Sequence, residues 1–91
     1  MSFSRTRLHD LSLLLLKVKN SKKMADVLAD LLTPQELISI SERLHIVKAL
    51  VQGIPQRTIA HTLHVSIGKI TRGSRVVKYG KTDWEKLFTH L

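Results

Sequence analysis

The sequence predicts an all-α protein built around a helix-turn-helix, and three observations carry that prediction. Residues 56 to 74 place Ile59, Ala60 and Leu63 at helical spacing, interrupt it at His64 to Ser66, and resume it with Ile67 and Ile70. Helix start and stop signals recur along the rest of the chain, and no segment alternates as a strand would. The charge is also unevenly placed. Of the net +8, all lies between Glu42 and Asp83, where Arg43, Lys48, Arg57, Lys69, Arg72, Arg75, Lys78 and Lys81 meet no acidic residue. A solvated surface usually mixes signs, so this block points to a polyanionic partner.

Taken in order, residues 3 to 19 form the first expected helix. Leu8, Leu11, Leu13 to Leu16 and Val18 spread over more than one face, and a helix apolar nearly all round has to be covered nearly all round. A chain of 91 residues cannot do that alone, which predicts a dimer. The leucine run is much shorter than the roughly 20 apolar residues of a membrane span, and no small-residue cleavage site follows Arg5 and Arg7. With no cysteine, disulfides and thiolate zinc sites are excluded, and the expected location is the cytoplasm.

Asn20 and Ser21 break the pattern, with Ser21 expected to cap a second helix to about Leu32, its face made of Met24, Val27, Leu28 and Leu31. Thr33-Pro34-Gln35-Glu36 combines an N-cap threonine, proline at the first helical position and a glutamate closing a capping box. The third helix then runs to about Gln52 with a stripe of Leu37, Ile40, Leu44, Val47 and Val51, and stops at Gly53. Ile54-Pro55 leads into the first helix of the helix-turn-helix. His64 is expected in the left-handed conformation that glycine usually supplies, which histidine tolerates better than most residues. Ser66 is expected to cap the recognition helix, Ile67 to about Lys78. A capping box at Thr82-Asp83-Trp84-Glu85 opens a sixth helix with Trp84, Leu87, Phe88 and Leu91 on one face.

Several residues carry a further signal: Leu32-Thr33-Pro34, Arg43 with Ile46-Val47, Leu50 and Gly53, Gln56-Arg57, and Ile70-Thr71-Arg72-Gly73-Ser74 followed by Lys78. Together these resemble the bacterial tryptophan repressor family over about residues 28 to 78. The Thr-Arg-Gly-Ser element is the most specific part, because Arg-Gly-Ser is uncommon inside a recognition helix. The resemblance implies a six-helix, intertwined homodimer that binds L-tryptophan as corepressor and then a palindromic operator of tryptophan biosynthesis or uptake genes. It is a family well described for helix-turn-helix docking on DNA.

By the same resemblance, Arg43 and Arg72 are the pair that holds the indole, and flat guanidinium groups can stack on an aromatic face while Arg72 also pairs with a carboxylate. Thr33 matches the hydroxyl near that carboxylate. The carbonyls of Asp30 and Leu32, at a helix C-terminal end, favour the ammonium group. Gly73 sits inside a helix at a cost of about 1 kcal/mol relative to alanine, which an approaching indole would explain. Val76 stands where the family has a serine that helps hold the ammonium group, and Lys69 stands where it has a threonine. On the DNA side, Ser66, Ile67, Gly68 and Lys69 are implied to face base edges, while Gln56, Arg57, Thr71, Arg75 and Lys78 serve phosphates and register.

Other readings remain open on the sequence. A relative with the same scaffold could respond to another ligand or to none, as Val76 suggests, and a non-regulatory helix-turn-helix module for DNA targeting would share the basic block. His61 and His64 have metal-ligand spacing but no carboxylate or cysteine support, and read as surface residues beside DNA. No nucleophile elbow, phosphate loop or paired carboxylates occur, so neither an enzyme nor a resident cofactor is expected.

Overall fold

A computed structural model describes residues 4 to 89, and over these the chain is six helices joined by short turns, without a strand among the described residues. They are α1 (Arg5–Leu16), α2 (Ser21–Leu31), α3 (Pro34–Val51), α4 (Gln56–Leu63), α5 (Ile67–Tyr79) and α6 (Trp84–Thr89). The chain divides into two compact units, one reaching to Leu37 and one from Ile38 onward. Leu91, expected on the face of the last helix, lies outside the described residues.

In the first unit, α1 starts where the Ser4 hydroxyl accepts the Arg7 N–H at 3.3 Å. Neither α1 nor α2 contains a buried residue. Leu8, Leu11, Leu13, Leu14 and Leu16 are 41 to 72% exposed, in keeping with the apolar character that spreads around α1. The cap of α2 is Asn20 rather than Ser21: its side-chain oxygen accepts the Lys23 N–H at 2.8 Å, which makes Ser21 the first helical residue. Asn20 stands three residues before that amide, the spacing at which an N-cap side chain accepts from it, whereas Ser21 already has helical backbone. The capping box at Thr33 forms in full. Thr33 Oγ1 accepts the Glu36 N–H at 3.1 Å, and Glu36 Oε1 accepts the Thr33 N–H at 2.8 Å. The Thr33 backbone N–H that donates to it, foremost, and the Thr33 hydroxyl beside it hold the Glu36 carboxyl below its ordinary pKa.

The second unit is built on the helix-turn-helix. Ile46 of α3, Ile59 of α4, Val65 of the turn and Ile70 of α5 form its core, with Ala49, Leu50, Ala60 and Leu63 packed against them. Burying a side chain of this size contributes roughly 1.5–3 kcal/mol, and Val47, buried elsewhere on α3, adds a fifth. The face of α3 that does this differs from the expected stripe. Val47 is buried and Val51 half-buried, but Ile40 and Leu44 are exposed, and the core position belongs to Ile46. Helix α3 is apolar on two sides, so periodicity could not say which side the unit covers.

The turn follows the expected chemistry. His64 adopts φ 55°, ψ 45°, the left-handed region, and its N–H donates to the Ala60 carbonyl. Val65 N–H donates to the same carbonyl at 3.2 Å. Ser66 is the N-cap of α5, its hydroxyl accepting the Lys69 N–H at 3.2 Å. Gly53, at φ 79°, ends the α3 region. The last helix is capped by Asp83 instead of opening on a Thr82 box: Asp83 Oδ1 accepts the Lys86 N–H at 3.0 Å. A carboxylate one residue nearer the helix takes the orphan donor first. Trp84 and Phe88 then stack one turn apart, ring centroids 5.9 Å apart.

Candidate nucleic-acid interface and ligand cleft

The outward side of the helix-turn-helix carries every residue expected to meet DNA. Gln56 and Arg57 open α4; Ser66, Ile67, Gly68 and Lys69 occupy the cap and first turn of α5; Thr71, Arg75 and Lys78 lie further along. All nine are exposed. Ile67, a large apolar side chain, is 53% exposed at the start of the helix, where the core gives it no partner. At Gly68 a Cβ would meet nothing closer than Ser66 Oγ at 3.8 Å. The fold therefore does not require glycine there, and the open space lies on the outward side. Thr71 Oγ1 donates to the Ile67 carbonyl at 3.0 Å, which leaves its lone pairs but not its proton for an outside group.

Between α3 and α5 lies a cleft of about 160 Å³ lined by Ser39, Glu42, Arg43, Ile46, Lys69 and Arg72. The two arginines singled out in the sequence thus share one cavity, although 29 positions separate them (72 less 43). Both side chains are exposed, so they are free to lie against a flat ligand. This volume is below the roughly 300 Å³ of a site that encloses a small molecule, so these side chains by themselves form an open cleft. Ser39, Glu42 and Ile46 were not foreseen as lining residues. The signal was present: 39, 42, 43 and 46 follow i, i+3, i+4, i+7 on one face of α3, as 69 and 72 do on α5.

Gly73 is buried beside the cleft, and its reason differs from the expected one. A Cβ there would stand 2.7 Å from Ile46 Cγ2 and 3.4 Å from Leu50 Cδ1. The close neighbour is α3 itself, so helix packing accounts for the glycine without a ligand. Val76, half-buried one turn further on, is not among the residues lining the cleft. Asp30, Leu32 and Thr33 belong to the first unit. Leu32 is the C-cap of α2, with Asp30 in its last turn, and Thr33 is occupied in its capping box.

Lys69 has a partner that the sequence did not indicate. Its Nζ donates to Glu42 Oε1 at 2.7 Å, with the lysine side chain 59% and the glutamate 28% exposed. An exposed pair of this kind contributes about 0–1 kcal/mol. It matters more for where it holds the lysine than for stability.

A turn of this geometry, with a capped second helix whose first turn is exposed and set in a basic surface, defines a helix-turn-helix protein of the DNA-binding class. Residues 6–91 match the family model for the Trp repressor protein. The chain is 43% identical over 75 residues to a Trp operon repressor homolog of Mannheimia succiniciproducens, covering 78% of this chain and 74% of the relative. It is 38% identical over 63 residues to one of Chlamydia trachomatis serovar D, covering 68% and 67%, and 44% identical over 57 residues to one of Pasteurella multocida, covering 62% and 56%. No solved structure matches the chain significantly. The chain belongs to the Trp repressor family, whose members are regulators and not enzymes.

Proposed function

We propose that the protein is an L-tryptophan-dependent transcriptional repressor that acts in the cytoplasm as an intertwined homodimer. It binds a palindromic operator of tryptophan biosynthesis or uptake genes. The observation that carries this reading is the meeting of Arg43 and Arg72 in one cleft against the recognition helix. A planar aromatic ligand lying between two guanidinium groups gains on both faces, and its carboxylate finds Arg72. Because Arg72 stands on α5, the ligand also bears on the helix that presents Ser66 to Lys69. Tryptophan and operator would then be coupled, each tightening the other by the same factor.

Dimerisation is supported by the surface that one chain leaves uncovered: five leucines of α1, and Ile38, Ile40 and Leu44 of α3, all more than 40% exposed. A second copy would cover these faces and bring the missing wall of the open cleft. Asp30, Leu32 and Thr33 are the residues proposed for the ligand's ammonium and carboxylate ends, with Val76 at the position that would face the ammonium group and the backbone of Gly73 nearest the ring. A scaffold that answers to a different ligand, or none, is the second reading, favoured by the apolar Val76.

Calorimetric titration with L-tryptophan, with D-tryptophan and indole-3-propionate as controls, tests the proposal. One L-tryptophan bound per subunit, with the controls weaker, is the expected result. No heat up to about millimolar ligand, an affinity ceiling near -4 kcal/mol, would overturn tryptophan dependence and leave the second reading.

A further inference from the structure

From Leu37 to Thr82 the chain contains one acidic residue, Glu42, against eight lysines and arginines. That single carboxylate is not left to solvent. Lys69 Nζ donates to it at 2.7 Å across 27 positions, tying α3 to the first turn of the recognition helix. A polyanion-binding surface gains from each free cation and loses from each carboxylate. Glu42 therefore works against affinity at the position where affinity would be easiest to gain.

We propose that Glu42 is a specificity determinant of the DNA-binding surface: it holds the Lys69 ammonium away from backbone phosphates and so withdraws one sequence-independent contact from the start of α5. This rests on the DNA-binding reading given above. Phosphate contacts strengthen binding to every sequence alike, whereas base-edge contacts discriminate. Removing one phosphate contact lowers the background on random DNA and leaves Ser66, Ile67 and Gly68 to face the groove. The apolar contacts of Ile46 and Ile70 hold α5 against α3, and the glutamate decides what the lysine can touch.

The test is fluorescence anisotropy of the full chain with a random-sequence duplex across a salt series. Four proteins are compared: native, Glu42→Gln, Lys69→Gln and the double variant, with circular dichroism confirming that each is helical. One released phosphate contact adds about 0.9 to the slope of log affinity against log salt, which makes Glu42→Gln about eightfold tighter at roughly 0.1 M salt than its parity near 1 M. In the Lys69→Gln background the same change produces little of that gain. Equal slopes for native and Glu42→Gln would overturn the inference. So would an equal gain in both backgrounds, because Glu42 would then act only as a charge felt at a distance. If none of the four helical proteins binds the duplex in a salt-dependent way, the DNA-binding reading itself fails and the inference falls with it.

Discussion

Gly73→Ala separates two explanations for a glycine in the middle of the recognition helix. If packing requires it, the added Cβ stands 2.7 Å from Ile46 Cγ2, about 1 Å inside ordinary contact. That methyl is attached to a β-branched carbon on a helix, where χ1 has essentially one setting, and Ile46 is 2% exposed. It cannot swing away, so α3 and α5 must move apart. Overpacking of this kind costs about 1–3 kcal/mol, against which the better helix propensity of alanine returns about 1 kcal/mol. The net expectation is a loss of about 1 kcal/mol, or roughly 4–8 °C in melting temperature for a domain of this size. The assay is thermal and urea unfolding followed by circular dichroism, at one fixed protein concentration and without ligand. Ile46→Ala, which removes the opposing methyl, should couple favourably with Gly73→Ala in a double-mutant cycle. If Gly73→Ala instead stabilises the ligand-free protein by the full propensity gain and weakens only tryptophan binding, the packing explanation is refuted.

Three further predictions follow from local geometry. Gly68→Ala, with its Cβ in open space, should leave stability unchanged or raise it by up to about 1 kcal/mol, yet weaken DNA binding by crowding the groove; melting and anisotropy measured together show whether both hold. His64→Gly relieves the left-handed turn at φ 55° and should shift unfolding by no more than about 1 kcal/mol, in the stabilising direction; a clear loss would mean that the imidazole makes a contact of its own. The Glu36 carboxyl has its pKa lowered by the Thr33 bonds. Its contribution is therefore present above the ordinary carboxylate range and disappears as pH falls through the lowered folded value. Acid unfolding of native and Glu36→Ala proteins should converge at the acid end and separate toward neutrality, and parallel curves would contradict the capping-box assignment.

The local part of this structure could be read from the chain because its causes are local. A proline after a threonine, a serine three residues before an amide that needs an acceptor, and a histidine where a helix must turn each act within a few positions, and their partners are neighbours in sequence. The basic block and the outward face of α5 were legible for the same reason, since charge placement and helical spacing need no knowledge of what packs behind. Where competing caps stood side by side, at Asn20 and Ser21 or at Thr82 and Asp83, sequence rules left a choice of one residue that the start of helical backbone decided.

What only the tertiary structure decided involves partners far apart along the chain. Helix α3 offers two apolar sides, and only the packing of α4 and α5 selects Ile46 as the core position. The glycine at 73 has the look of a ligand contact until Ile46 is seen occupying the space beside it. Lys69 has the look of a free cation until Glu42 is found 2.7 Å away. The spacing of residues along one helix sets which side chains share a face, but the energy of burial and of charge pairing depends on which other helix that face meets. Here that meeting joins α3 to α5, and it assembles the arginine cleft, the close helix crossing and the ion pair of Glu42 with Lys69.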